Sequence, residues 1–225
     1  IEKLSRKLDR IISEGQEIEE LGSGYFAAEG PVWYSQGGYL LFSDIFNNRR
    51  MKWTPQEGVT LFSEPTNNAN GLTWDLQGRL IVCETGTRRV TRLEDDGSVT
   101  IIADHYDGLR LNRPNDVVVK SDGSIYITDP ITPLGEELDM DFSGVYRVSP
   151  DLSEIKLLTK DITFPNGLTF SPNEDIFYID DSRLGHIKAF NVNEHGTLIN
   201  GRVFCDLHGD LPGSPDGMKV DVEGN

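Results

Sequence analysis

Cysteine is scarce in this chain of 225 residues, which contains only Cys83 and Cys205. Two cysteines are too few for a disulfide-framed secreted module, and neither lies in a C-x-x-C metal or redox motif. We therefore expect both to be reduced residues on strands. Long apolar runs are missing as well, since none approaches the roughly 20 residues needed to cross a bilayer. The sequence predicts neither a membrane span nor a membrane partner.

Basic residues are outnumbered, because 21 Lys and Arg against 37 Asp and Glu give a formal net charge of −16. This excess of negative charge opposes binding to polyanions and favours attraction of cations. Nucleic acid is therefore not an expected partner. The chain begins at Ile1 rather than Met, so we expect residues upstream; we favour a cytoplasmic location, with a periplasmic or secreted one left open by a removed export signal. The sequence does not indicate an oligomeric state.

A repeat organises the chain, and in it a polar residue precedes Gly or Asp and then a short apolar strand. We call these polar residues the openers; they are Glu29, Asn70, Asn115, Asn166 and Asp216, at intervals of 41, 45, 51 and 50 residues. Each full period continues with a turn, a second apolar stretch and an outer pair of strands split by a polar turn. Periods of about 40 to 50 residues with four strands each are typical of β-propeller blades.

The repeat predicts an all-β fold, a β-propeller that forms a single domain over residues 1–225. Four periods and a short opening strand from Asp216 do not close a ring. We therefore expect four blades plus the start of a fifth, with the rest beyond the end of this sequence. A short amphipathic helix is predicted ahead of the first blade, with Ile1, Leu4 and Leu8 on one face.

The openers are the candidate site, because the first strand of each propeller blade lines the central channel. All five are Glu, Asn or Asp, whose carboxylate and amide oxygens suit calcium or another hard divalent cation. We interpret Glu29, Asn115, Asn166 and Asp216 as ligands of one divalent cation. Calcium is favoured, with zinc, magnesium and manganese as alternatives. Asn-Gly is also a common turn dipeptide that needs no ligand, and for Asn70 the two interpretations are balanced.

Each second strand ends in an acid at a nearly constant distance from its opener, namely Asp44, Glu84, Asp129 and Asp180. Because the second strand returns antiparallel to the first, these acids lie at the same end of the blade as the openers. They could support the openers from behind. They could instead accept backbone N–H groups in the connections between blades, which is the interpretation we favour.

Four ordered motifs resemble the gluconolactonase and senescence-marker-protein family, which also includes the diisopropylfluorophosphatase-like enzymes. They are A-E-G-P-V-W from Ala28, N-R-P-N-D from Asn112, F-P-N-G-L from Phe164 and P-D-G-M from Pro215. The resemblance implies a six-bladed propeller with a divalent metal, often calcium, in its central channel. It implies that Glu29, Asn166 and Asp216 bind the metal, that Asn115 binds substrate on or near it, and that Arg113 contacts substrate. We place Asn70 on the channel wall as a candidate substrate-binding residue.

We hypothesise that the protein hydrolyses a sugar lactone or a related small lactone, with the metal as a Lewis acid on the ring carbonyl. Asp216 is the candidate catalytic residue that orients or deprotonates the attacking water. No G-x-S-x-G motif occurs, and no His has a triad-like setting. Two alternatives remain: organophosphate hydrolysis at the same metal, and a non-catalytic propeller that uses the cation for stability or ligand binding.

Overall fold

The computed structural model describes residues 6–13, 15–132, 138–209 and 212–225. In this part of the chain, four antiparallel sheets of four strands follow one another in sequence order. Sheet I contains β1 (Ala28–Tyr34), β2 (Tyr39–Asp44), β3 (Arg49–Thr54) and β4 (Gly58–Ser63). Sheet II contains β5 (Ala69–Trp74), β6 (Leu80–Glu84), β7 (Arg89–Leu93) and β8 (Val99–Ala103). A short pair, β9 (His105–Tyr106) and β10 (Leu109–Arg110), then leads to sheet III.

The last two sheets repeat the same meander. Sheet III contains β11 (Val117–Val119), β12 (Ile125–Asp129), β13 (Gly144–Val148) and β14 (Ile155–Thr159). Sheet IV contains β15 (Pro165–Phe170), β16 (Ile176–Asp181), β17 (His186–Val192) and β18 (Leu198–Asp206). The predicted all-β class and the four strands in each of the four full periods are confirmed.

Polar turns set the hairpins where the sequence predicts them. Between β5 and β6, Asp75 Oδ1 accepts the N–H of Gln77 at 2.9 Å and that of Arg79 at 2.8 Å. Gly78 in the same turn has φ +81°, a left-handed conformation that favours glycine. The side chain of Asp75 and the glycine together reverse the chain within five residues.

The apolar second strands form the centre of the packing between sheets. Every residue of β6 and of β12 is buried. Ile81 and Ile127 pack in one apolar cluster between sheets II and III, and Leu168 and Phe177 belong to another between sheets III and IV. The inner strands β1, β5, β11 and β15 contact one another in chain order. The starts of these inner strands are thereby brought together.

Two predicted elements are wrong. Within residues 6–13 the chain forms a 3-10 helix, Arg6–Arg10, instead of an amphipathic α-helix, and none of its residues is buried; Ile1 and Leu4 lie outside the described residues. An amphipathic helix this short needs a surface to pack against, and this one has none in the described chain. The predicted strand at Asp216 is also missing from residues 212–225, because this segment has no strand partner there.

Cys83 on β6 and Cys205 on β18 are both free, as predicted. Within the described ranges, no helix has the length and apolar character that crossing a membrane requires.

Candidate functional site

The five openers line one cavity of about 240 Å³. Glu29 lies on β1, Asn70 on β5 and Asn166 on β15, whereas Asn115 precedes β11 and Asp216 follows sheet IV. The cavity is also lined by Gly30, Pro31, Gly71, Asp116, Gly217, Met218 and Lys219. Side chains from five repeats thus meet at one place, and their polar groups are mostly carboxylates and amides.

A β-bulge follows the opener in three of the sheets. The register between the first and second strands shifts between Glu29 and Val32 in sheet I, and in the same way in sheets II and IV. A bulge bends the strand locally and redirects its side chains, and bulges are common beside active sites. Asn70-Gly71 lies within β5 and Asn166-Gly167 lies within β15. Neither dipeptide forms a hairpin turn, so the turn interpretation is wrong for both.

The glycine after an opener allows two neighbouring sheets to approach closely. A Cβ built on Gly71 would lie 2.6 Å from the Asn115 carbonyl oxygen, and the Gly71 N–H donates to that same oxygen at 2.8 Å. A Cβ built on Gly167 would lie 2.3 Å from the Asp216 carbonyl oxygen. Because Cβ atoms do not approach backbone atoms so closely, the opener–glycine dipeptide is a packing requirement of the site.

Hydroxyl groups hold the backbone at the openers. Ser43 Oγ donates to the Asn70 carbonyl oxygen at 2.7 Å, and Thr128 Oγ1 donates to the Asn166 carbonyl oxygen at 2.8 Å. Ser182 Oγ donates to the Pro215 carbonyl oxygen at 2.6 Å, directly before Asp216. Each of these hydrogen bonds joins one repeat to the next, so the relative position of neighbouring openers is set by side chains of the second strands and the residues that follow them.

The amide of Asn166 is oriented by the same network. Its Nδ2 donates to Ser182 Oγ at 3.1 Å. This leaves the carbonyl oxygen as the end of the amide that is available to a cation or to a substrate hydroxyl group. The donor chemistry of Asn166 therefore fits the role of a hard oxygen ligand.

Three carboxyl groups in and behind the cavity have a raised pKa. Burial raises the pKa of Glu29, and the neighbouring charges of Asp216 and Asp116 add to the effect. Burial also raises the pKa of Asp180 to about 8, with Asp216 and Asp116 again acting in the same direction. Burial raises the pKa of Asp116, although the charge of Lys219 opposes it. A bound cation would stabilise the charged form of all of these groups.

The carboxylates do not make a metal site by themselves. Within the described ranges, no three His, Cys, Asp or Glu side chains lie close enough together to hold a metal ion. A cation at Glu29 and Asp216 would therefore also need amide oxygens, which Asn115 and Asn166 offer on the same cavity wall. An all-oxygen set of this composition fits a hard divalent cation.

Arg113 is not among the residues that line the cavity. It is buried, and its backbone N–H donates to Asp129 Oδ1 at 2.7 Å. Of the residues predicted to bind substrate, Asn70 and Asn115 lie on the cavity wall and Arg113 does not.

The acids at the ends of the second strands have different roles. Asp44 accepts the backbone N–H groups of Phe26 and Ala27, and Asp129 accepts those of Asn112 and Arg113. Glu84 instead binds side chains: Asn67, Thr87, Arg89 and Thr91.

In sheet IV the register pairs Pro165 with Asp181, as it pairs Ala28 with Asp44 in sheet I. The equivalent of Asp44 is therefore Asp181, which accepts four backbone N–H groups, and the sequence assignment of Asp180 to that position is wrong.

Asp116 and Lys219 also line the cavity, although the repeat does not predict them as site residues. Their charged groups, Lys219 Nζ and Asp116 Oδ2, lie 3.8 Å apart. A signal for Asp116 was present in the sequence, because the residue after the opener is Gly in four repeats and Asp in this one. Nothing comparable distinguishes Lys219.

The chain is similar to known proteins in sequence and in fold. The sequence profile of the SMP-30/Gluconolactonase/LRE-like region matches residues 27–225. A gluconolactonase of Zymomonas mobilis is 32% identical over 251 residues, with 100% of this chain and 70% of the relative covered. A solved gluconolactonase structure from Xanthomonas campestris is 34% identical, with a TM-score of 0.82 over 91% of this chain and 70% of that chain. The structure of a calcium-binding protein, regucalcin, from Agrobacterium tumefaciens is 21% identical, with a TM-score of 0.73 over 91% of this chain and 68% of that chain.

Proposed function

Because the chain belongs to the SMP-30/gluconolactonase/LRE-like family, we propose that it hydrolyses a sugar lactone or a related small lactone in the cavity lined by the five openers. The observation that carries this proposal is the meeting of Glu29 and Asp216 with three asparagine amides on one cavity wall. Lactone hydrolysis needs a polar group that activates water and donors for the oxygen that becomes negative. The similarity to gluconolactonases supports the choice of substrate class.

We further propose that Glu29, Asn166 and Asp216 hold a divalent cation, with Asn115 on or near it. The ion would supply Lewis-acid polarisation of the lactone carbonyl. Oxygen ligands favour calcium, and the calcium-binding regucalcin of similar fold supports this choice. Among the described residues that line the cavity, none is His or Cys, which argues against a site built for zinc.

The protein's own groups carry the proton transfer in this mechanism. Asp216 orients a water molecule and accepts a proton from it as the water oxygen bonds to the carbonyl carbon. The proton then passes to the ring oxygen when the bond between that oxygen and the carbonyl carbon breaks. The product is the open-chain hydroxy acid. The amide groups of Asn70 and Asn115 bind hydroxyl oxygens of the sugar ring.

For the fold, we propose that the four sheets are consecutive blades of a six-bladed propeller that forms one domain. The chain-order contacts of β1, β5, β11 and β15 support this arrangement. The chain spans 70% of the solved gluconolactonase, which is close to the two-thirds that four of six blades would occupy.

The proposed function is tested by assaying the protein with gluconolactone, other aldonolactones and a panel of phosphotriesters. We expect lactone hydrolysis, and we expect Asp216→Asn to lower kcat by about 100-fold or more, since general base catalysis typically contributes that much. Asp95→Asn, at an exposed turn of sheet II, is the matched control and should leave kcat unchanged.

Two other results would redirect the assignment. Faster turnover of phosphotriesters than of any lactone would favour an organophosphate hydrolase. No turnover of either class by protein whose melting temperature rises with calcium would favour a non-catalytic propeller.

A further inference from the structure

Asp180 is a fully buried acid that the proposed reaction does not use. It lies on β16, and its Oδ2 accepts the N–H of Gly167, the residue after the opener Asn166, at 3.0 Å. A Cβ built on Gly167 would lie 2.7 Å from that carboxyl oxygen and 2.3 Å from the Asp216 carbonyl oxygen. Both oxygens therefore lie close to the Gly167 Cα, where the repeat of Asn166 meets the repeat of Asp216.

Thr128 occupies the corresponding position in sheet III. Its Oγ1 accepts the N–H of Asp116, the residue after the opener Asn115, at 3.0 Å. The same hydroxyl donates to the carbonyl oxygen of the next opener, Asn166, at 2.8 Å. One second-strand side chain thus joins its own opener to the opener of the following repeat.

The positions of Asp180 and Thr128 are equivalent in the repeat. Each lies one residue before the acid that ends its second strand, Asp181 in sheet IV and Asp129 in sheet III. Ser43 stands one residue before Asp44 in sheet I, and its hydroxyl also donates to the carbonyl oxygen of the next opener. Asp180, at the same position, accepts the N–H of the glycine whose Cα packs against the Asp216 carbonyl.

A second connection runs beside Asp180. Asn166 Nδ2 donates to Ser182 Oγ, which in turn donates to the Pro215 carbonyl oxygen. The segment that carries Asp216 is therefore hydrogen-bonded to this part of sheet IV at Pro215, and the next carbonyl, that of Asp216, packs against Gly167. It has no strand partner in the described chain, so this hydrogen bond and the packing against Gly167 contribute to holding it.

We propose that Asp180 is a positioning residue for Asp216. By accepting the Gly167 N–H, Asp180 holds the glycine against which the Asp216 backbone packs, and so directs the Asp216 carboxylate into the cavity. The inference rests on the proposed function, in which Asp216 accepts a proton from the attacking water. Asp180 is not among the residues that line the cavity. It therefore acts through Asp216 and does not contact the substrate.

The test compares Asp180→Ala, Asp180→Asn and Asp180→Thr by kcat and KM for gluconolactone. Displacing a catalytic group by about 1 Å can lower the rate by about 100-fold, so we expect Asp180→Ala to lower kcat by roughly 10- to 100-fold with KM nearly unchanged. Asparagine can still accept the Gly167 N–H through its amide oxygen, and threonine accepts the equivalent N–H in sheet III. Both variants should restore kcat to within about threefold of the wild type.

Asp44→Ala is the matched control, because it also removes a buried acid from the end of a second strand. It should lower the melting temperature and leave kcat per folded molecule unchanged. A crystal structure of Asp180→Ala gives a readout that does not depend on activity, and it should show the Asp216 backbone displaced from Gly167.

Three results would overturn the inference: wild-type kcat in Asp180→Ala, an Asp180→Asn variant as slow as Asp180→Ala, or an unmoved Asp216 in the variant structure. If the wild-type protein hydrolyses no lactone, the proposed function fails. The crystal structure then decides on the positioning role alone.

Discussion

The carbonyl oxygen of Asn166 accepts a 2.8 Å hydrogen bond from the hydroxyl of Thr128, which belongs to the preceding sheet. The same hydroxyl accepts the N–H of Asp116, and Thr128 is fully buried. A buried polar group of this kind must be hydrogen-bonded. The opener of one repeat is thus held by the second strand of the repeat before it, and packing between sheets and the geometry of the site depend on the same contacts.

Replacing Thr128 by Val should destabilise the protein. Valine keeps the shape but leaves the Asp116 N–H and the Asn166 carbonyl without this partner, so the free energy of unfolding should fall by about 1–3 kcal/mol. Urea denaturation measures this change. Thr128→Ser keeps the hydroxyl and should lie closer to the wild type. Equal stability of Thr128→Val and wild type would mean that the hydroxyl does not join the sheets.

Gly71→Ala should also be destabilising, for a steric reason. The new Cβ would lie 2.6 Å from backbone atoms of Asn115 and Asp116, so one sheet must move away from the other. We expect a loss of about 1–3 kcal/mol, the usual range for overpacking, and reduced lactone hydrolysis, because Asn70 and Asn115 move apart. Gly209→Ala is the control, since no atom lies within 4 Å of its Cβ position. A Gly71→Ala variant as stable and active as Gly209→Ala would contradict this account of the glycine.

Asp181→Asn should show a pH-dependent loss of stability. Burial alone would raise the pKa of Asp181, but hydrogen bonds from four backbone N–H groups outweigh it and lower the pKa below its usual value. The ionised acid therefore stabilises the fold above the unfolded-state pKa of about 4, and this contribution is lost as the pH falls through the lower folded-state pKa.

At pH 7 the asparagine variant should be less stable than the wild type by about 1.5–3 kcal/mol, the range for hydrogen bonds to a charged group. The difference should shrink at and below pH 4. Urea denaturation at several pH values measures it, with Asp95→Asn as the surface control. A difference that stays constant or grows towards acid pH would show that the charge of Asp181 is not responsible.

Much of the fold was predictable because its signals are local. Each hairpin depends on a polar turn such as Asp75 to Arg79, and each buried second strand is a short apolar run, so both can be recognised without knowledge of distant residues. The openers were predictable for a related reason, since they occur at the same point of every period. Their chemical type is visible in the sequence itself.

The connections between sheets were not predictable, because they depend on packing across repeats. Spacing from the opener assigned Asp180 to the wrong position. The connection between the first two strands is one residue longer in sheet IV, where Phe170 pairs with Phe177, than in sheet III, where Val119 pairs with Ile125. The helix before sheet I failed for a similar reason, since its apolar pattern has nothing to pack against in the described chain.

The central claim is that the openers form one cation-dependent lactonase site, and a calcium titration of chelator-treated protein tests it most directly. Gluconolactone hydrolysis is followed as calcium is added to the wild type and to Glu29→Gln. We predict negligible hydrolysis before calcium, recovery that saturates with one ion per chain in the wild type, and a large shift to higher calcium concentration in Glu29→Gln. Full hydrolysis by calcium-free protein, or identical titration curves for the two proteins, would contradict the account.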